Sequence, residues 1–241
     1  MMDDRELLFD HQRLDLIAAW CDRKYGIGAD GVILIRNHPQ YDFEMIYFNP
    51  DGSQSLCGNG SRCAVKFAQD LGMIAKECTF LAIDGPHQGI IENATISIRM
   101  QDMGAPNQNG QDFFINTGSP HHVTMVKEIE AVDVVDQGSS IRYSDQYQPG
   151  GTNVNFVEPR GERVIVRTYE RGVENETLSC GTGVTAVALV MATEGHKSPV
   201  SIHAMGGELE VSFNKLEDGS FTDIFLSGPA VKVFEGVIVS A

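Results

Sequence analysis

Residues 178–192 read LSCGTGVTAVALVMA. From Val184 to Ala192 the positions are apolar or threonine, so a helix here is hydrophobic on every side and must be enclosed rather than laid on a surface. A curved sheet wrapped around a central helix meets that demand. A cysteine followed by Gly-x-Gly opens this helix, and the same device opens a second helix-like run at residues 55–63, SLCGNGSRC.

The flanking segments repeat as well. Around the first device, GVILI (31–35) and FEMIYF (43–48) are predicted strands, NPDGS (49–53) is a tight turn, and residues 60–71 form a helix stopped by Gly72. Short strands at 79–83, 89–92 and 95–100 lead to a loop-rich stretch, MGAPNQNGQD. Around the second device, HHVTMV, NVNFV and RVIVRTYE alternate as strands before a helix over 182–194. Four strands follow it, VSIHAM, GELEVSF, TDIFLSG and AVKVFEGVIV. Ahead of both, residues 11–23 carry Leu14, Ile17, Ala18 and Cys21 at helical spacing, with Gly26 as a C′ glycine. The recurring order of strand, polar turn, Cys-Gly-x-Gly, helix and meander indicates an internal duplication. It divides the chain into 1–109, carrying Cys57, and 110–231, carrying Cys180.

With 241 residues, 42% of them hydrophobic, the chain can bury a core in one large or two small domains. Its 33 acidic and 18 basic residues give a formal charge of −15 without a basic cluster, so no nucleic-acid partner is expected. The N-terminus has no apolar signal region and no apolar run can span a bilayer, which predicts a cytoplasmic protein without membrane contact. Five cysteines without a C-x-x-C argue for free thiols rather than disulfides or structural zinc. His121 and His122 are adjacent on a predicted strand and face opposite sides, so no shared metal is expected. GIGADG (26–31) fits G-x-G-x-x-G as a string, but it follows a helix and opens a strand, the reverse of a dinucleotide fingerprint.

A thiol at a helix start lies beside unpaired N–H groups and the positive end of the macrodipole, which can lower its pKa from about 8.5 into roughly the 3.5–7.5 range. The glycines remove Cβ atoms that would crowd an anion, so the same N–H groups can hold a carboxylate. A nucleophilic protease uses one such thiol. Stereoinversion at carbon uses two: one thiolate removes a hydrogen while a thiol on the opposite face supplies one, the pair sharing a single proton. No lysine lies in a recognisable PLP setting, and no cofactor is expected.

At these residues the sequence resembles the diaminopimelate epimerase family, through GIGADG, NPDGS, CGNGSRC, TGSPHHV, NVNF, YERG, LSCGTG and LSGPAVKVFEG in this order. The resemblance implies an α+β fold of two pseudo-symmetric domains, each a mixed sheet curled around a central helix, with the active site in the cleft between them. It also implies a final strand, 232–241, returning to the N-terminal domain. The activity implied is PLP-independent interconversion of LL- and meso-diaminopimelate, in lysine and peptidoglycan precursor biosynthesis. Cys57 and Cys180 resemble the two acid/base thiols. Gly58, Asn59, Gly181 and Thr182 resemble the helix-start groups that hold the reacting carboxylate. Asn49, Asn153 and Arg171 resemble the side chains at the substrate's distant end, and His121 and Glu170 those that position the reacting amino group.

The family opens with a strand bearing a GxGNDF-like segment that residues 1–25 lack; MMDDRELLFD resembles the sequence that follows it. An unpaired strand edge, reduced stability and low activity are therefore expected of the chain as written. Ser119 and Gly31 stand where some members have asparagine and glutamine. A proline or hydroxyproline racemase of the same fold, and an impaired amino-acid-binding homologue, are the alternatives. A phenazine-type isomerase lacks the cysteine pair. The oligomeric state, including a homodimer, is open.

Overall fold

The computed structural model describes residues 1–238. The chain divides into two compact units: Met1–Leu56 and Gly60–Ile96 with the segment from Pro229 on, and Cys57–Asn59 with Ser97–Gly228. Both are built on mixed sheets with few helices, an α+β fold.

Unit 1 contains β1 (Met2–Asp3), α1 (Leu14–Cys21), β2 (Val32–Arg36), β3 (Phe43–Phe48), β4 (Glu77–Ala82) and β5 (Gly85–Glu92). It also holds most of α2 (Gly58–Asp70) and the start of β6 (Thr95–Arg99). β1 is parallel to β2, β2 antiparallel to β3, β3 parallel to β4, and β4 antiparallel to β5. Every residue of β2 is buried, as a continuous VILI run requires of a strand covered on both faces. The opening segment, expected only to follow a strand, supplies one: Met2 and Asp3 lie opposite Leu34 and Ile35. Next to them, Asp4 accepts a 2.6 Å bond from Arg36 Nε, both side chains being buried.

α1 begins at Leu14, later than expected, and buries Ile17 and Cys21 against Val32, Leu34 and Phe48. Gly26 is not a left-handed residue that ends it: the helix stops at Asp22, which is extended at φ −60 and ψ 127, and the left-handed glycine of this connection is Gly28, at φ +80. Gly26 is needed for close approach, since a Cβ there would meet the Ala19 carbonyl oxygen at 2.0 Å.

Unit 2 contains β7 (Asn107–Asn109), β8 (Asp112–Asn116), β9 (Pro120–Met125), α3 (Val134–Arg142), β10 (Asn153–Arg160) and β11 (Arg163–Glu170). It continues with β12 (Asn175–Thr177), α4 (Gly181–Thr193), β13 (Val200–Ala204), β14 (Gly207–Lys215) and β15 (Phe221–Pro229). The strand order is β15-β14-β13-β11-β10-β9-β8-β7, with β12 paired to β11 beside that path. α4 packs against β8 to β11, β13 and β14. Its residues from Val184 to Ala192 are all buried, in a core with Val123, Val157, Val166, Ile202, Val211 and Leu226. The enclosed helix is therefore as the sequence pattern demands, and each large apolar side chain so buried contributes about 1.5–3 kcal/mol.

Strand pairing displays the repeat. β9 is parallel to β10, β10 antiparallel to β11, β11 parallel to β13 across α4, and β13 antiparallel to β14. The order β9-α3-β10-β11-α4-β13-β14-β15 thus reproduces β1-α1-β2-β3-α2-β4-β5-β6, with β12 as an addition.

Four elements of unit 2, β7, β8, α3 and β12, were not expected, β7 lying in the stretch read as loop-rich. α3 has a legible start, because Asp133 caps it by accepting from Asp136 N–H at 3.0 Å. The expected strand over 232–241 is not formed within the described residues. Residues 230–238 are non-regular, with Val231, Val233, Phe234 and Val237 exposed and no ladder partner among the described residues, and 239–241 lie outside them. No helix among the described residues is long and apolar enough to cross a membrane.

Candidate active site

Cys57–Asn59 belong with unit 2, where the start of α4 lies. The residues after the two cysteines touch: a Cβ on Gly181 would stand 3.4 Å from Gly58 Cα and 3.1 Å from Leu226 Cδ2. Asn59 donates through Nδ2 to the carbonyl of Ser179 at 3.1 Å, tying the second residue of one start to the residue before the other cysteine. Neither cysteine is in a disulfide, Cys57 being half-buried and Cys180 buried. They also sense each other electrically, since charge on Cys57 opposes ionisation of Cys180.

Cys180 is the N-cap residue of α4, and its carbonyl accepts from Val184 N–H at 2.8 Å. Its thiol departs from expectation. Burial, reinforced by the Glu170 carboxylate, pushes it up to about 12, against the Thr182 hydroxyl and the Gly183 N–H, which favour the thiolate. Loss of hydration outweighs the helix-start donors here, so the resting group is a thiol. Burial also raises the Glu170 carboxyl above the usual range, opposed by hydrogen bonds from Thr177 and Cys180. The Thr177 hydroxyl donates to Glu170 Oε2 at 2.7 Å.

Parallel pairing sets Asn153 opposite His121. Asn153 Nδ2 donates to Ser119 Oγ at 2.8 Å and to the Pro120 carbonyl at 2.9 Å, while its Oδ1 accepts from Arg171 N–H at 2.8 Å. Its amide therefore fixes the turn that carries Arg171, whose exposed guanidinium reaches the Gly150 carbonyl at 3.2 Å. His121 is fully buried, and burial, with the Arg171 charge adding, drops its pKa to about 3; it is neutral. Its Nε2 lies 2.9 Å from Thr182 Oγ1 and its Nδ1 lies 3.2 Å from Asn155 Nδ2. His122 faces the other way, with Nδ1 2.8 Å from the Tyr147 hydroxyl. Among the described residues no cluster of three or more His, Cys, Asp or Glu suits a metal ion.

The structure thus gathers Cys57, Gly58, Asn59, His121, Asn153, Glu170, Arg171, Cys180, Gly181 and Thr182 within unit 2. Asn49 lies in unit 1, where its Nδ2 donates to Ser53 O, Ser53 Oγ and Ser55 Oγ at 3.1–3.2 Å and closes the NPDGS turn. Sequence reasoning missed Thr117, whose hydroxyl donates to the Thr182 carbonyl at 2.8 Å, and also Asn155, Thr168 and Thr177. A signal existed: Asn153 and Asn155, like Thr168 and Glu170, are polar at i and i+2 and so share one strand face.

The diaminopimelate epimerase family model matches residues 1–107 and 113–233. A diaminopimelate epimerase of Flavobacterium psychrophilum is 49% identical over 99% of this chain and 94% of its own length. Those of Aquifex aeolicus and Chlorobaculum tepidum are 42% and 38% identical, covering 92% and 99% of this chain and 84% and 96% of their own lengths. Among solved structures, a PhzF-family phenazine biosynthesis protein of Bacillus anthracis shares the fold at TM-score 0.73 and 17% identity, covering 98% of this chain and 91% of that one. A probable proline racemase of Agrobacterium radiobacter does so at TM-score 0.63 and 14% identity, covering 93% and 80%. The matched length and the level of identity together place the chain in the diaminopimelate epimerase family.

Proposed function

We propose that this chain is a cofactor-independent diaminopimelate epimerase in which Cys57 and Cys180 exchange the roles of base and acid. The observation that carries the proposal is the meeting of two cysteine-bearing helix starts, with Gly58 against Gly181 and Cys180 held as a thiol. In one direction the Cys57 thiolate takes the α-hydrogen as a proton, breaking the Cα–H bond and forming S–H. The Cys180 S–H then delivers its proton to the opposite face of the carbanion, leaving a thiolate. The reverse reaction exchanges the roles, and no electrons leave the pair of substrates and thiols.

The carbanion's charge spreads into its carboxylate, which the N–H groups of Gly58, Asn59, Gly181 and Thr182 are assigned to hold. Glu170 supplies the negative charge that pairs with the α-ammonium group. The exposed guanidinium of Arg171, on the turn fixed by Asn153, receives the distal carboxylate. Both ring nitrogens of His121 are engaged by protein groups, so its part is indirect.

Incubation with LL-diaminopimelate in heavy water tests the reading: deuterium should enter at one α-carbon as meso product appears. Cys57→Ala and Cys180→Ala should each abolish that conversion while keeping the folded state. Near-normal turnover in either variant overturns the two-thiol mechanism. Turnover of proline instead of diaminopimelate overturns the substrate.

A further inference from the structure

Beside Cys180 lies a run of polar side chains whose hydrogen-bond directions follow from one another as far as the Thr182 hydroxyl, where either that oxygen or the sulfur can be the donor. Asn155 is fully buried on β10, opposite Thr168 of β11, which is also buried. One atom of the Asn155 amide faces the His122 carbonyl at 2.9 Å. A carbonyl only accepts, so that atom is the nitrogen Nδ2. The other, Oδ1, accepts from the Thr168 hydroxyl at 3.0 Å, which agrees with that orientation. Nδ2 also lies 3.2 Å from His121 Nδ1. A donor facing Nδ1 makes that nitrogen the acceptor, and a neutral imidazole then carries its proton on Nε2. Nε2–H points to Thr182 Oγ1 at 2.9 Å, occupying an oxygen lone pair, and the same oxygen lies 3.4 Å from Cys180 Sγ.

We infer that Asn155 is a positioning residue: through His121 it orients the Thr182 hydroxyl to donate to the Cys180 sulfur once that sulfur has given up its proton. The inference rests on the two-thiol reading above and deepens it. The charged or titratable groups facing Cys180 are Glu170 from β11 and Cys57, and both oppose its thiolate; Arg171 acts on His121. Among the described residues, the two groups that favour the sulfur anion are the Thr182 hydroxyl and the Gly183 N–H. A wrongly directed Thr182 hydroxyl therefore removes one of two supports. Gly183 serves the same arrangement, because a Cβ there would lie 2.6 Å from Asn155 Oδ1 and 3.4 Å from His121 Cε1.

The test reads the imidazole directly. In the whole protein labelled with ¹⁵N-histidine, with the His121 signals assigned by their loss in His121→Gln, the unsubstituted chain should show the Nε2–H tautomer at neutral pH. An Nδ1–H tautomer overturns the inference without any variant at Asn155. Asn155→Asp keeps the size but replaces the donor by an acceptor. His121 should switch to Nδ1–H, so that Thr182 donates to Nε2 instead of Sγ, and kcat should fall by about ten- to hundredfold with little change in KM.

Thr182→Val should cost a similar factor, and the double variant no more than the worse single one, because both break one path. Multiplying losses, or an unchanged tautomer in Asn155→Asp, overturn the inference. If Asn155→Asp does not fold, Asn155→Leu keeps the bulk, removes the donor facing His121 Nδ1 and should give mixed tautomers; a pure Nε2–H signal there overturns the ordering. The NMR measurement needs no substrate, so inactivity on diaminopimelate would defeat the catalytic reading while the tautomer separately decides the relay.

Discussion

Gly183→Ala isolates the packing on which Cys180 depends. The new methyl group would lie 2.6 Å from Asn155 Oδ1, 3.3 Å from Cys180 Cβ and 3.4 Å from His121 Cε1. Ordinary contact begins near 3.4 Å, so Asn155 must retreat by about 0.8 Å. It cannot do so freely, because Thr168, His122 and His121 all hold its amide. Overpacking of this kind costs about 1–3 kcal/mol, and the gain from alanine over glycine inside a helix returns about 1 kcal/mol. A net loss of about 0–2 kcal/mol corresponds to a fall in Tm of up to about 8 °C for a chain of this size. Turnover should suffer more, since a displacement of about 1 Å in catalytic positioning can cost roughly a hundredfold. Differential scanning calorimetry and the coupled epimerisation assay, run on the same preparations, measure both. The control is Gly72→Ala, where φ is +73 and no atom crowds the Cβ. It should lose about 1 kcal/mol by backbone strain alone and keep full turnover. An unchanged kcat in Gly183→Ala would refute the claim that Asn155 and His121 are fixed against α4.

Four other perturbations read separate parts of the molecule. His121 has its pKa lowered to about 3 by burial, from an ordinary 6.5, so the unfolded chain binds the extra proton between those values. The stability it permits is complete above pH about 6.5 and drains as pH falls toward about 3; His121→Gln should flatten denaturant midpoints across that window. Glu174 is opposed by burial, but the Gly172 N–H, Tyr143, Arg142 and Tyr169 together hold it at about 2. Its contribution is therefore present above pH about 4.5 and is lost on acidification toward 2, and Glu174→Gln should remove that part of the acid-unfolding slope. Asp4→Ala leaves Arg36 buried without its carboxylate and should cost about 3–5 kcal/mol in urea unfolding; a loss below about 1 kcal/mol would mean that the pair is solvated. Asn49→Ala should lower Tm, by loss of the bonds that close its turn; a raised KM with unchanged Tm would show instead that its amide is released to substrate.

The legible parts of the fold were those with a one-dimensional signature. VTAVALVMA announced an enclosed helix because no face of it is polar, and the strands of VILIR and FEMIYF followed from length and β-branching. α3 was obscured by Gly138 and two serines, although Gly138 is there because a Cβ would stand 2.4 Å from Tyr169 Cβ, a tertiary fact invisible in sequence. The thiols were visible as motifs, but the state of Cys180 was not. The helix-start donors are local and can be read from Cys-Gly-x-Gly, whereas the desolvation that outweighs them comes from burial, which only the folded chain creates.

Duplication by itself would give two equivalent thiols, yet an acid and a base must differ. The difference enters at the middle position of Gly-x-Gly. In the first copy that residue is Asn59, whose amide is spent on the Ser179 carbonyl and so braces the second cysteine from outside. In the second copy it is Thr182, whose short hydroxyl reaches back to Cys180 Sγ and is itself directed by His121. The second thiol is buried beside Glu170, and both burial and that carboxylate hold it as a thiol, the acid of the proposed pair. An exchange of roles then requires the Cys180 thiolate to be supported only transiently, by the Thr182 hydroxyl and the Gly183 N–H. Strengthening that support permanently should slow the enzyme: a Glu170→Gln variant removes the charge that disfavours the Cys180 thiolate, and its resting thiol pKa should fall. Proton delivery from Cys180 should then slow relative to proton removal by it, an asymmetry measurable as unequal deuterium wash-in from the LL and meso isomers. Equal losses in both directions would mean that Glu170 acts on the substrate alone and leaves the thiol's proton affinity unchanged.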